Sequence, residues 1–242
     1  PRGLGDVYKR QIKLCLWCCL LFIAIPFGIY FTAFLPLTTL PHNRYNVFGR
    51  FIAYQTHMYN YHSTLQATHP FESPWYQWPF DIRNVWYYGN YSADSEGHIR
   101  TISVLGNPLF FWACVPATVY AFVRAVKRHS RTALICAIGF LSAYLPWVLV
   151  PRCTFIYHYF TAVPFILIAF LIAYQRLEET ASLRRVVFTK GAVTLTVGRI
   201  LLLACILVHI LMFIAFYPVL TGTLTTQNYT NALEWLPSWF FI

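Results

Sequence analysis

Apolar residues are concentrated in five long stretches of the chain, which polar connections of unequal length separate. Each stretch is close to the roughly 20 residues with which an α-helix crosses the hydrocarbon core of a bilayer. None of the five contains Asp, Glu or Lys. The pattern therefore predicts an all-α polytopic membrane protein with five transmembrane helices, at about residues 14–37, 108–126, 132–150, 155–174 and 200–220.

The longest polar connection, residues 41–106, has an internal pattern of its own. In its first half, residues recur at helical spacing and form one apolar face: Phe48, Phe51, Ile52, Gln55, Met58, Tyr59, His62 and Leu65. Such spacing is typical of an amphipathic helix that lies along a membrane surface. We expect this helix, followed by a loop, on the outer face of the membrane.

A segment rich in Trp and Pro follows this helix, from His69 to Pro79. Its three prolines fix φ and remove backbone donors, so the segment cannot lie inside a helix. The amphipathic rings of Trp75 and Trp78 are best placed at the level of the lipid headgroups. We therefore predict a shaped surface at the membrane face, where His62 and His69 hydrogen-bond to neighbours or to a polar ligand.

Composition excludes a soluble protein. Hydrophobic residues make up 58% of the chain, charged residues only 11%, and the mean hydropathy is +0.52, whereas an average soluble domain has roughly 25% charged residues. Thirteen of the 18 Lys and Arg residues lie in the amino-terminal end and in two connections, 124–131 and 176–199. By the positive-inside rule those segments are cytoplasmic, with the amino terminus inside and the carboxyl terminus outside. The net charge of +10 thus reflects topology and contact with anionic lipid, and we expect no nucleic-acid binding.

A second group of polar and aromatic residues lies between the third and fourth spans: Pro146, Trp147, Pro151, Arg152, Phe155, Tyr157, His158 and Tyr159. Two spans begin on this side, and Asn107 and Pro108 suit the N-cap and first turn of one of them. Helix amides, Arg152 and Arg83 would then form an anion site at the outer leaflet. The alternative is that Arg152 only reaches the headgroups and that His158 bonds a backbone carbonyl.

The seven cysteines do not form a pattern typical of a metal site or a disulfide framework. Six of them lie within apolar spans, and Cys153 stands alone. Small packing residues are the simpler interpretation. If the amphipathic helix continued to Thr68, His62 and His69 would lie about two turns apart, too far to share a metal without a loop folding back. We predict no metal.

Several motifs, in order and correctly spaced, resemble the carboxyl-terminal membrane region of the protein O-mannosyltransferases. They are YHSTLQATHPFESPWYQWPFDIRNVWYY (61–88), GNP (106–108), the PW and R-x-x-F-x-Y-H pattern (146–158), YPVLTG (217–222) and WLPSWFF (235–241). The resemblance implies part of a GT-C type bundle. It also implies inverting transfer of mannose from polyprenyl-phosphate mannose to Ser or Thr of secreted proteins, without a cofactor. The eukaryotic enzymes carry a β-trefoil insert at this place, and residues 41–106 are too short to hold one. The resemblance is therefore to the bacterial form, which lies in the plasma membrane.

The reaction needs a carboxylate base and cations for the departing phosphate. In the family the essential acid belongs to a first outer loop in the amino-terminal half, to which no segment of this chain corresponds. Glu72 is the nearest candidate, but a solvated loop carboxylate is the simpler interpretation. We therefore expect a carboxyl-terminal fragment, residues 12–242 after a non-native end at 1–11, that is inactive without its amino-terminal half. Candidates for binding lipid phosphate or substrate are Arg152, Tyr157, His158, Arg83, Asn107, His62, His69, Trp75 and Trp78.

Two other classes of function stay open at this point. A non-catalytic polyprenyl-phosphate-binding or assembly subunit would share these features. A transporter would be expected to place ionisable groups near the bilayer midplane, where His209 is an isolated candidate. Its imidazole is more simply explained by a hydrogen bond within the helix bundle.

Overall fold

The computed structural model of the chain describes residues 4–40, 45–92, 94–191 and 193–241. The chain is mostly helical and divides into two compact units, Pro1–Leu65 and Gln66–Ile242. Among the described residues, five helical segments are long and apolar enough to cross a membrane: Gly5–Thr39, Pro108–Arg128, Arg131–Leu149, Ile156–Glu178 and Val197–Thr221. The five predicted spans are thereby confirmed, with ends that differ by a few residues.

The first unit begins with helix α1 (Leu4–Cys19), a π-helical turn (Leu20–Ala24) and helix α2 (Ile25–Thr32). The π-helical turn comes just before Pro26, whose ring nitrogen cannot donate a helix hydrogen bond. A 3₁₀-helix, Leu35–Thr39, ends this segment. Helix α1, which leads into the first span, begins at Leu4, inside the end that we expect to be non-native. Whether residues 1–11 are native stays a prediction.

Helix α3 (Val47–Thr64) is the predicted amphipathic helix. The Asn46 side chain accepts a hydrogen bond from the Gly49 amide at 2.7 Å, which caps the helix amino terminus. The Phe51 ring packs against four rings of the preceding segment, with centroid distances between 5.2 and 5.9 Å. The helix and its apolar face are confirmed, while its position on a membrane surface stays a prediction.

The second unit contains helices α4 (Pro108–Arg128), α5 (Arg131–Tyr144) and α6 (Val163–Glu178), which pack against one another. Small residues line their shared core: Ala121, Ala125, Ala133, Cys136, Ala137 and Ala169 are all buried. Small side chains let helix backbones approach closely, which is how helices associate in a bilayer. Cys136 thus serves as a packing residue, and so does Cys114, which is buried in a neighbouring core cluster. A short helix α7 (Ala181–Arg184) follows.

Two antiparallel hairpins in the described chain were not predicted. Strands β1 (Val85–Asn90) and β2 (Arg100–Val104) form the first, and β3 (Val186–Lys190) and β4 (Val193–Thr196) the second. The buried side chains of β2 are Thr101 and Ser103, so the strand has no apolar alternation that would reveal it. The all-α fold class is confirmed, since the chain is mostly helical, and these two short hairpins are added to it.

Helix α8 (Val197–Thr221) is the last long helix, and helix α9 (Gln227–Leu233) follows it. Phe216 and Val219, near the end of α8, are buried together with Trp239 and Phe241 of the carboxyl-terminal tail. The isolated bridge between Ile99 and Thr225 joins the first hairpin to the segment after α8. The tail therefore folds back over the first hairpin.

Candidate functional site

The two aromatic segments singled out in the sequence lie against each other in the second unit. The Ser73 amide donates to the Thr154 carbonyl at 2.8 Å, and the Thr154 hydroxyl donates to the Ser73 carbonyl at 2.9 Å. The Tyr144 hydroxyl donates to the Trp75 carbonyl at 2.7 Å. We call residues 69–80 and 144–158 together the aromatic clasp. Its two halves are far apart in sequence, so only tertiary packing brings them together.

Trp78 lies at the centre of the aromatic clasp. It is fully buried, and its indole nitrogen donates to both the carbonyl and the hydroxyl oxygen of Ser73. Its ring lies 6.0 Å from Trp147 and 5.9 Å from His158 between centroids. The ring is buried because the fold supplies its indole N–H with partners in the core, and its depth in the membrane stays a prediction. A direct contact of Trp78 with a ligand stays a prediction.

His158 is held by its own turn and by aromatic rings. Its Nδ1 lies 2.9 Å from the Phe155 carbonyl oxygen and 3.0 Å from the Phe155 amide nitrogen. Its ring lies 4.1 Å from the Trp147 centroid and 4.4 Å from that of Tyr157. This is the backbone contact that the alternative interpretation expected for His158. The imidazole is therefore rigidly positioned.

Arg152 is the half-buried cation of this group. Its guanidinium acts electrostatically on the Tyr157 phenol and on the His158 imidazole. Within the part of the chain that the structure describes, Arg152 makes no hydrogen bond or ion pair. Its charge is thus available to an anion that approaches the aromatic clasp.

His69 and Glu72 lie at the edge of the aromatic clasp. The His69 ring is exposed and packs edge-on against Phe155, with centroids 5.2 Å apart. Its Nδ1 accepts from the Phe71 amide at 3.2 Å, and Glu72 Oε2 accepts from the His69 amide at 3.4 Å. Both side chains therefore take part in the local turn. Trp75 is half-buried, with its ring 5.9 Å from that of Tyr144.

His62 belongs to the first unit, where it is exposed in the last turn of α3 beside Tyr61. Since α3 ends at Thr64, the extension to Thr68 that would stack His62 and His69 two turns apart does not form. The structure does not bring these two imidazoles onto one helix face.

Asn107 has the predicted capping role. Its side-chain oxygen accepts from the Phe110 amide at 3.2 Å, and its amide nitrogen donates to the His209 carbonyl at 3.3 Å. His209 in turn places Nδ1 2.6 Å from the Cys205 carbonyl of its own helix. Arg83 is half-buried, and its Nε is buried without a hydrogen-bond partner among the described residues. Arg83 therefore has bonding capacity that the described protein does not use.

Asp81 is a residue whose burial the sequence analysis missed. It is completely buried in a left-handed conformation with φ 52°, and its Oδ1 accepts from the Gly106 amide at 3.1 Å. Its Oδ2 has no hydrogen-bond partner among the described residues. Burial raises the pKa of Asp81 to about 7, although the Gly106 hydrogen bond acts in the opposite direction. One feature of the sequence could have indicated this conformation. Asp81 directly follows Trp78-Pro79-Phe80, and Asp adopts the left-handed backbone conformation more readily than most residues.

The carboxyl-terminal tail holds the segment after Asp81 in place. The Asn84 side chain donates to the Phe240 carbonyl at 2.5 Å and accepts from the Phe240 amide at 2.9 Å. The Trp239 indole donates to the Asp81 carbonyl at 2.7 Å. The Phe240 ring packs on Phe71, with centroids 5.8 Å apart. The motif at the end of the chain thus supports the aromatic clasp from behind.

Asp94, Glu96 and His98 form a group of potential metal-ligating atoms within 4.8 Å of one another in the described chain. They lie in the turn between β1 and β2, where Asp94 Oδ1 accepts from the amides of Glu96 and His98. Although desolvation opposes it, these hydrogen bonds and the His98 side chain lower the pKa of Asp94. The hydrogen bonds within this turn account for the way in which the three side chains converge.

Comparisons with known proteins agree with this architecture. Residues 47–239 match the family model described as the C-terminal four-transmembrane region of protein O-mannosyltransferase. The chain is 26% identical over 196 residues to a polyprenol-phosphate-mannose–protein mannosyltransferase of Corynebacterium glutamicum, covering 78% of this chain and 36% of that protein. It is 25% identical over 244 residues to the protein of the same name from Mycolicibacterium smegmatis, covering 89% of this chain and 45% of the relative.

A solved structure shares the fold. It is the Saccharomyces cerevisiae protein O-mannosyltransferase Pmt1-Pmt2 complex bound to the sugar donor, with a TM-score of 0.64 and 21% identity, covering 84% of this chain and 28% of that chain. The present chain thus spans less than half the length of these relatives. The chain is a multi-pass membrane protein that belongs to the protein O-mannosyltransferase family and matches its C-terminal four-transmembrane region.

Proposed function

We propose that this chain forms the donor-phosphate side of a membrane mannosyltransferase. The enzyme would transfer mannose from polyprenyl-phosphate mannose to Ser or Thr hydroxyls of secreted proteins, with inversion at the anomeric carbon. The bacterial relatives are named for a polyprenol-phosphate-mannose donor, which supports this choice of substrate. No cofactor is required, because the donor is already an activated sugar phosphate.

The observation that carries the proposal is Arg152, a cation of the aromatic clasp that makes no hydrogen bond or ion pair with the residues the structure describes. As mannose departs, negative charge develops on the polyprenyl phosphate, and a fixed cation stabilises that charge. Arg152 lies near Tyr157 and His158. The His158 ring packs against the buried Trp78, the half-buried Trp147 and Tyr157. A guanidinium can bind a phosphate through two parallel hydrogen bonds. We assign phosphate binding to Arg152, with Tyr157, His158 and Arg83 as supporting residues.

The carboxylate that removes the acceptor proton is proposed to come from the amino-terminal half of the enzyme. This chain spans only 36% and 45% of the two bacterial relatives described above, so much of each relative lies outside the comparison. Glu72 is the alternative base within the aromatic clasp. In the complete enzyme, Glu72→Gln is expected to leave kcat near normal. Turnover by the 242-residue chain alone that Glu72→Gln abolishes would make Glu72 the base.

Donor kinetics of Arg152 variants in the complete enzyme test the proposal. A lost charge-assisted contact of about 1.5–3 kcal/mol corresponds to a roughly ten- to hundredfold fall in kcat/KM for Arg152→Ala. Arg152→Lys should recover only part of the activity, since the paired guanidinium donors are gone. Arg100→Ala, which removes an exposed cation of β2, is the matched control. An Arg152→Ala variant with unchanged donor kinetics would remove Arg152 from the site.

The same variants distinguish the other functions. A purely structural Arg152 predicts a lower melting temperature with near-normal specific activity, so stability and kinetics must be measured on the same preparations. A non-catalytic lipid-binding subunit would bind the donor and give no mannosylated product at any donor concentration.

We further propose that the aromatic clasp faces the outside of a bacterial plasma membrane, with the amino terminus in the cytoplasm. The distribution of Lys and Arg supports this orientation. In a cysteine-free background, an impermeant thiol reagent applied to intact cells should label Ser95→Cys and spare His129→Cys. The reverse labelling pattern would invert the orientation.

A further inference from the structure

A cavity lies at the ends of α4 and α6 that are remote from the aromatic clasp. It has a volume of about 580 Å³ and is lined by Tyr120, Val123, Arg124, Lys127, Arg128, Arg176 and Glu179. We call it the basic cavity. Four of its seven lining residues are cations and one is an acid, so it carries a net positive charge at neutral pH. Nothing in the proposed transfer reaction uses it.

The charges of the basic cavity are only partly paired. Arg176 donates to Glu179 Oε2 at 2.6 Å, and Arg124 donates to the Tyr120 hydroxyl at 3.4 Å. Lys127 and Arg128 make no hydrogen bond or ion pair with any residue that the structure describes. Positive charge in a concave site attracts an anion more strongly than the same charge on a flat surface. The basic cavity is therefore complementary to a phosphate group.

An apolar groove adjoins the basic cavity and shares Tyr120 and Arg176 with it. The groove has a volume of about 300 Å³ and is otherwise lined by Ala113, Pro116, Ala117, Phe170, Ala173, Tyr174 and Leu177. It runs between α4 and α6, and the small alanine side chains leave its floor open. From Ala113 to Lys127, α4 extends about 21 Å at a rise of 1.5 Å per residue. That length exceeds the roughly 15 Å of hydrocarbon in one leaflet.

We propose that the basic cavity and this groove together bind one anionic glycerophospholipid. The headgroup phosphate contacts Arg124, Lys127 and Arg128, and one acyl chain lies in the groove between α4 and α6. By the positive-inside rule this end of the helices lies in the cytoplasmic leaflet, which is rich in anionic lipid, and basic pockets between helices on that side bind such headgroups. The lipid would fix the spacing of α4 and α6. The site lies at the opposite end of these helices from Arg152.

Native mass spectrometry of the complete protein in detergent can test the headgroup contact with phosphatidylglycerol and phosphatidylcholine as probes. Phosphatidylglycerol should bind the wild type more tightly than phosphatidylcholine. The triple variant Arg124→Gln, Lys127→Gln, Arg128→Gln should lose about tenfold or more in phosphatidylglycerol affinity. The matched control Arg131→Gln, Arg185→Gln, Lys190→Gln removes three exposed cations outside the cavity and should lose no more than about twofold. Equal losses in the two variants would show nonspecific charge attraction and overturn the proposal.

A second variant tests the groove without changing the charge. Ala173→Phe fills the groove from α6, so long-chain phosphatidylglycerol should bind more weakly while a dihexanoyl form binds as in the wild type. Unchanged binding of the long-chain lipid, with a melting temperature near that of the wild type, would overturn the assignment of the acyl chain. If polyprenyl phosphate displaces phosphatidylglycerol at equimolar concentration, the site selects the carrier lipid and the phospholipid assignment is wrong. Because the readout is binding, its outcome is independent of mannosyl transfer.

Discussion

The aromatic clasp and the basic cavity lie at opposite ends of the same helices, and they are built differently. At the aromatic clasp, Trp78 is fully buried and its indole N–H is satisfied by Ser73. At the basic cavity, the one ion pair, between Arg176 and Glu179, has side chains that are 62% and 46% exposed. The centre of one end is therefore buried and hydrogen-bonded, while the charged side chains of the other end are exposed.

This difference suits two kinds of ligand. A group that stabilises developing charge must be in place before the reaction, because reorganisation during the reaction costs free energy. Packed rings and buried hydrogen bonds give that rigidity to the side chains that neighbour Arg152, namely His158 and Trp78. A lipid headgroup is held by charge and needs no fixed geometry, so long Lys and Arg side chains suffice. The predictions below test whether the two ends differ in this way.

Truncating the central ring should have the largest effect. Trp78→Ala leaves a cavity in the aromatic clasp and removes two buried hydrogen bonds, which should cost about 3–5 kcal/mol of stability. Trp78 and Tyr76 both lie in the 3₁₀-helix Trp75–Phe80, but Tyr76 is 56% exposed. Tyr76→Ala should therefore change stability by no more than about 0.5 kcal/mol. Melting temperatures in detergent measure both. Similar losses for the two variants would mean that the aromatic clasp is not a rigid core.

Asp81 should make the aromatic end sensitive to pH. The pKa of Asp81 is about 7 in the folded chain, whereas the ordinary value for Asp is 3.8. Between pH 3.8 and pH 7 the folded state therefore holds one more proton than the unfolded state. Its stabilising contribution is fully present below about pH 3.8 and is lost as the pH rises through 7. From pH 5 to pH 8, wild type should lose roughly 2–3 kcal/mol relative to Asp81→Asn, which does not titrate. A constant difference in melting temperature between the two proteins across this range would contradict the prediction.

Loosening the tail should have an intermediate effect. Asn84→Ala removes both hydrogen bonds to the Phe240 backbone, at a cost of about 1–2 kcal/mol. Because the tail is then held less firmly, carboxypeptidase acting on the 242-residue chain should release Phe241 and Phe240, after Ile242, faster than from wild type. Asn228→Ala, an exposed amide on α9, is the control. If tail digestion is equally slow in Asn84→Ala, the tail does not depend on this contact.

The smallest effect on stability is expected at the basic cavity. Glu179→Gln breaks the exposed ion pair with Arg176 and should leave the melting temperature unchanged, because exposed pairs contribute little. Binding of phosphatidylglycerol should increase by about two- to threefold, since Arg176 then becomes available to the phosphate. A clear fall in melting temperature would show that this end is as tightly held as the aromatic clasp.

Much of the fold could be predicted from local patterns. The five spans, helix α3 and the cap at Asn107 each follow from residues close together in sequence, and all are present. The pairing of β1 with β2 could not be predicted, because its inward positions are occupied by Thr and Ser rather than by apolar residues. The Thr101 hydroxyl bonds Trp86 and Tyr88 within the hairpin and also the Phe241 carbonyl of the carboxyl-terminal tail. No local pattern reveals the contact with the tail.

The candidate site divides in the same way. The sequence alone places Arg152 between the third and fourth spans and Tyr157 and His158 at the start of the fourth, because the apolar stretches mark where each span begins. Only the tertiary structure decided that Trp78 is buried behind His158, that Asp81 is enclosed beneath Gly106 and that the tail supports both. Burial of a polar group depends on the partners that distant segments supply. Hydrophobic periodicity records whether a residue faces lipid or protein, and it does not record which segment arrives to cover it.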